Sequence, residues 1–120
     1  MTASLKDIEP SSLEEAVNFL VANIAEEDRE YILENGDAFL HHGFGTNLRN
    51  SWGLWHNSKL AQYFKDTYGL GHADDMSGLI ISGLVAQIQG QIHKVDEQVE
   101  RYKKHWHKMK VDPLTQESYK

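Results

Sequence analysis

Leu13, Val17, Leu20 and Ile24 recur at spacings of four, three and four. That rhythm puts them on one face of an amphipathic helix reaching to about residue 25. Pro10-Ser11-Ser12 supplies its start, and Glu14 and Glu15 fall in the first turn, where carboxylates suit the positive helix end. A second, strongly acidic helix is expected over residues 26–34, anchored by Tyr31 and Leu33 and ended by Asn35-Gly36. A short helix over 37–42 should follow and stop at Gly43-Phe44-Gly45. Thr46 or Asn47 then caps a helix with Leu48, Trp52 and Trp55 on one face, and Asn57-Ser58 starts another that Gly69 closes.

The last helical pattern is the longest. It begins near Asp74-Asp75 and meets no clear stop before Val111-Asp112-Pro113. Leu79, Ile80, Ile81, Leu84 and Val85 make its first part apolar nearly all round, as expected of a buried central helix, with Gly78 and Gly83 letting neighbours approach closely. From Ile88 the apolar positions Ile88, Ile92, Val95, Val99, Tyr102, Trp106 and Met109 alternate spacings of four and three, the mark of a coiled-coil seam. Drawn straight, such a helix would span roughly 55 Å, longer than a compact domain of this size is wide. It therefore either bends near Gly90 and packs back, or projects and pairs with another copy through Ile92, Val95, Val99, Tyr102, Trp106 and Met109. No segment reads as a strand. The expected fold is all-α, a domain of five or six helices with a long C-terminal helix carrying the seam.

The chain has 120 residues, enough for one domain with a real core. We read 1–120 as that single domain, with 91–110 as a heptad extension and 111–120 as a tail. No apolar run approaches a membrane span, the N-terminus lacks the apolar run of a secretory signal, and there is no cysteine, a combination compatible with the cytoplasm. Charge is distributed unevenly. Residues 1–37 hold two basic and ten acidic side chains, whereas residues 91–110 hold six basic and three acidic ones, within a net charge of −6. The short basic segment does not outweigh the acidic one, so nucleic acid is not the expected partner. The acidic first helix is the natural partner of the basic segment, within the chain or in trans.

Candidate chemistry concentrates in residues 39–56, FLHHGFGTNLRNSWGLWH, and in His72-Ala73-Asp74-Asp75-Met76. Gly43, Gly45, Thr46 and Asn47, followed by Arg49 and Asn50, could present backbone N–H groups and a fixed positive charge to an anion. The plain alternative is a helix–helix turn with a paired arginine. Trp52 reads as core, and Trp55 as core or recognition surface. His41, His42, His56 and His72 invite a metal with Asp74 or Asp75, yet no histidine has a histidine partner one helical turn away. No nucleophile elbow or zinc-protease motif is present.

Leu48-Arg49-Asn50-Ser51-Trp52-Gly53-Leu54-Trp55, then Ser58, Leu60 and Phe64, then His72-Ala73-Asp74-Asp75-Met76-Ser77 resemble a domain family of unknown function from bacteria and their phages. The resemblance covers residues 39 to 90 and leaves the acidic N-terminal region outside. Members of that family often carry proline where Ala73 stands here. The resemblance implies one evolutionary unit and a setting such as phage or bacterial defence, but no substrate. The expected function is a small acidic, non-enzymatic binding or inhibitory module without a cofactor, homodimeric through the seam. The alternative is a nucleotide or phosphorylated-ligand module using Gly43, Gly45, Thr46, Asn47, Arg49, Asn50, Trp55, His56 and His72. A weaker one is a metal-dependent hydrolase using His56, His72 and Asp74 or Asp75.

Overall fold

The structure is a computed structural model and describes residues 3–38 and 40–119; Phe39 lies outside the described residues. Among them are six α-helices and no strand: α1 (Leu13–Asn23), α2 (Glu26–Asn35), α3 (Gly43–Ser51), α4 (Lys59–Tyr68), α5 (Ala73–Gln89) and α6 (Val95–Lys108). A single 3-10 turn at Leu5–Asp7 precedes them. α5 is the hub. Its Met76, Leu79, Ile80, Ile81 and Leu84 are buried, and α1, α2, α3, α4 and α6 all pack on it. A helix that is apolar nearly all round can be covered only by neighbours on every side.

Local chemistry explains most of the boundaries. Ser12 accepts from the Glu15 N–H at 3.1 Å and Ser58 from the Ala61 N–H at 3.1 Å, capping α1 and α4 as the sequence suggests. α2 is anchored by Ile32, which is buried, and not by the exposed Leu33 and Tyr31. The expected helix over 37–42 is a set of turns where described, and α3 begins at Gly43, ahead of Thr46. The glycines that read as a stop are inside α3, Gly43 exposed in its first turn and Gly45 buried. A Cβ at Gly45 would lie at ordinary contact, 3.5 Å, from Ile81 of α5, but 3.0 Å from Arg49 Nη1, so the glycine leaves room for that guanidinium.

The long C-terminal pattern is two helices. Gly90 takes the left-handed conformation (φ 69°, ψ 30°) that glycine adopts without strain, and its N–H closes the end of α5. Residues 91–94 then reverse the chain. α6 runs back antiparallel along α5, with Gln98 beside Gly78 and Ser82, and Trp106 beside Asp75. Of the two courses open to the pattern, packing back at Gly90 is the one taken, and α6 lies on α5. Val99 is buried and Val95 and Tyr102 pack against the same core. The middle of the seam is thus occupied within one chain, while Ile92 (88% exposed) and Met109 stand outside.

Two glycines of α5 set how closely its neighbours approach, Gly78 facing α6 and Gly83 facing α1. An added Cβ at Gly78 would meet the Tyr102 hydroxyl at 2.2 Å, and one at Gly83 would meet Val17 Cγ2 at 2.8 Å. Beyond α6 the tail turns back through a Val111–Ser118 bridge. The Gly71 N–H donates to the Pro113 carbonyl at 2.9 Å, which fastens the tail to the α4–α5 loop.

Candidate functional site

Arg49, the centre of the expected anion site, points inward. Its Nη1 donates to the Ser77 hydroxyl of α5 at 2.8 Å and its Nη2 to Thr46 Oγ1 at 3.1 Å. Its Nε lies 3.4 Å from Asp74 Oδ1, and the side chain is 13% exposed. Three groups therefore share one guanidinium, and Arg49 ties α3 to the first turns of α5. Gly43, Gly45, Thr46 and Asn47 lie in the first turns of α3, where the Gly45 and Thr46 N–H groups donate to Leu40 and His42 carbonyls. Asn50 follows on the same helix, exposed.

The fold brings together His72, Trp55 and Trp106 at the N-terminus of α5. His72 Nδ1 accepts from the Asp74 N–H at 3.0 Å and caps the helix. Its ring stacks on Trp106 at 5.3 Å and meets Trp55 edge-on at 5.5 Å. Trp55 remains 53% exposed, and His56 beside it is exposed at the end of the turn. Trp106 Nε1 donates to Asp75 Oδ2 at 2.7 Å. Asp75 is only 7% exposed, and burial pushes its carboxyl above the usual range, while the indole bond and the nearby His72 and His105 pull the other way. Sequence reasoning placed Asp75 at the start of the last helix and as a possible metal ligand, not in a buried contact. The signal it lacked was helical phase: Asp75, Gly78 and Ser82 share one face, and that face receives α6.

A second feature was not anticipated. Between α1, α2 and α3, above Leu84 of α5, lies an apolar groove of about 350 Å³. Leu20 and Ile24 form one wall, Tyr31 and Ile32 another, and Phe44 a third; Asp28 is the one carboxylate among the described residues of its lining. The α2 wall is the acidic helix. Glu26, Glu27, Asp28, Glu30 and Glu34 are all exposed, and Ile32 is its only buried residue. Arg29, the one basic side chain of α2, turns away and donates to the Val21 carbonyl at 2.9 Å. The sequence showed the acidity of α2 but not the groove, because Leu5, Phe44 and Leu84 come from elements far apart in the chain.

Among the described residues no group of three or more histidines, cysteines or carboxylates converges to hold a metal ion, and no helix is long and apolar enough to cross a membrane. The fold and this surface define a small all-α domain built around one buried helix. Residues 9–88 match the model of a domain of unknown function, DUF6794, and the chain belongs to that family. The match begins at Glu9 and not near residue 39, so α1 and α2 are part of the family unit; α1 has the most extensive packing on α5. No curated protein and no solved structure matches the chain.

Proposed function

We propose that this chain is a non-enzymatic binding module that acts by protein–protein contact through its acidic N-terminal face. The observation that carries this reading is α2: five exposed carboxylates, one basic side chain turned aside, and an apolar groove at its foot. Clustered charge of one sign steers a partner of the other sign and sets orientation more than it sets affinity. α6 packs on a different face of α5 through Gln98, Val99 and Tyr102, and the carboxylates of α2 are left to solvent. The setting we propose is the bacterial cytoplasm or a phage-infected cell, resting on the sequence resemblance alone.

The rival ligand-binding reading is weaker because the Arg49 guanidinium already has three protein partners. A homodimer through the seam is weaker too, since Val99 and Tyr102 are engaged on α5. The test is cross-linking and capture from cell extract with the native chain and with a variant carrying Glu26→Gln, Glu27→Gln, Glu30→Gln and Glu34→Gln. A partner is expected to bind the native chain at low salt and to be lost in the variant. Capture indifferent to these charges, or none by either protein, rejects the proposal.

A further inference from the structure

We infer that the groove between α1, α2 and α3 is the docking surface, and that its occupant is a basic amphipathic helix of a partner protein. The inference rests on the protein-binding reading and names the surface and the chemistry of the partner.

The lining decides what the groove accepts. Leu20, Ile32 and Leu84 are buried and form its floor, Ile24, Tyr31, Leu40 and Phe44 give the accessible apolar surface, and Asp28 and Asn47 are exposed polar residues of the lining. A volume of about 350 Å³ is near the small end of ligand pockets, which run from about 300 to 1,000 Å³. An amphipathic helix fills such a groove with anchors at i, i+3, i+4 and i+7.

Charge selects the sign of the occupant. Asp28 lies one helical turn from Tyr31 and Ile32, so its carboxylate stands at the mouth. Glu27, Glu30 and Glu34 continue the negative surface along α2 beyond the lining itself. A small cation would use only the carboxylate at the mouth, whereas a helix with lysine or arginine flanking its apolar stripe would also reach Glu27 and Glu34, which flank Tyr31 on α2. The neighbouring basic groups do not offset this field. Arg29 is turned to the Val21 carbonyl, Lys6 lines a separate recess with Glu9 and Ser58, and His41 pairs with Asp37 at 3.0 Å.

A second copy does not supply this helix. α6 is the basic amphipathic helix of the chain, but its apolar face, with Val99 and Tyr102, already lies on α5. The partner is therefore a different protein.

The test uses the full chain and a labelled synthetic helix of leucine and lysine, with leucine at i, i+3, i+4 and i+7. A leucine–glutamate helix of the same pattern serves as control. Fluorescence anisotropy gives affinity, and amide chemical shifts locate the contact. The lysine helix should bind and shift amides around Leu20, Ile24, Ile32 and Leu84, and the glutamate helix should not bind. Asp28→Lys, at an exposed position that leaves the fold intact, should weaken binding on the order of tenfold, with weaker binding again in high salt. Ile24→Lys should abolish it. Shifts confined to another face, equal binding of the glutamate helix, or indifference to both substitutions overturns the inference. So does saturation of the groove by monomeric dodecyltrimethylammonium when the lysine helix leaves its amides unmoved, which identifies a small-molecule site. If the lysine helix misses the groove while a captured partner still depends on the α2 carboxylates, the groove inference fails and the module reading stands.

Discussion

Replacing Gly78 by alanine sets two effects of opposite sign against each other. In an open helix interior, alanine is favoured over glycine by about 1 kcal/mol. Here the new Cβ would lie 2.2 Å from the Tyr102 hydroxyl oxygen and 3.3 Å from the ring carbon that bears it. The ring cannot simply swing aside. It packs against the core, and its hydroxyl accepts from Gln98 Nε2 at 2.8 Å. The same amide donates to Ser82 Oγ at 2.9 Å, and Gln98 Oε1 lies 2.7 Å from His93 Nε2. Overpacking of this kind costs about 1–3 kcal/mol. Displacing α6 to relieve it would strain the bonds of a buried amide, whose complete loss costs a further 1–3 kcal/mol or so. The expected net result of Gly78→Ala is a loss of about 1–3 kcal/mol, measured by urea denaturation. Adding Tyr102→Phe removes the clashing oxygen, so the double variant should be less destabilised than the sum of the singles by about 1 kcal/mol or more. A Gly78→Ala protein as stable as the native one, or more stable, would refute this account of the α5–α6 contact.

Three further outcomes are expected. Burial raises the Asp75 carboxyl pKa, so between the unfolded value and the raised folded value the native state holds more protons and stability falls as pH rises. Asp75→Asn, which keeps an acceptor for the Trp106 indole, should flatten that slope in thermal melts recorded across the acidic range; an unchanged slope would assign the dependence to other groups. Gly71→Ala places a Cβ 1.8 Å from the Leu114 carbonyl oxygen, so the tail should detach and residues 111–119 become early sites of limited proteolysis, while the melting curve keeps a single transition. Arg49→Lys keeps the charge but loses the fork that joins Ser77 and Thr46, and should cost about 1–3 kcal/mol. If instead stability holds and binding of inorganic phosphate is lost, the ligand-binding reading regains its ground.

What was legible in the chain depended on whether the signal was local. Ser12, Ser58 and Gly69 are caps whose meaning lies within a few residues, and they sit where the sequence puts them. Gly43 and Gly45 carry a local signal to stop, yet both lie inside α3, a helix that packs as a whole on α5. The seam from Ile88 to Met109 keeps its heptad phase straight through Gly90, although the chain reverses there. Periodicity reports that a helix has an apolar face, not which surface covers it. The same limit hid Asp75, buried only because α6 returns over it, and the groove, whose walls meet only in three dimensions. Arg49 was singled out correctly as an unusual residue, yet its partners Ser77 and Asp74 lie more than twenty positions away, beyond the reach of any local pattern.

The family match ends at residue 88, one residue before α5 does. α6 and the tail lie beyond it, yet they cover Asp75, Gly78 and Ser82 and bury Val99 and Gln98. The inherited segment and the folding unit therefore have different boundaries. A chain cut at the family boundary would leave the α6-facing stripe of α5 bare, with a half-desolvated carboxylate and two small residues forming an open trough. A protein built from the matched segment alone would have to roof that trough some other way, with a partner or with a segment unlike α6.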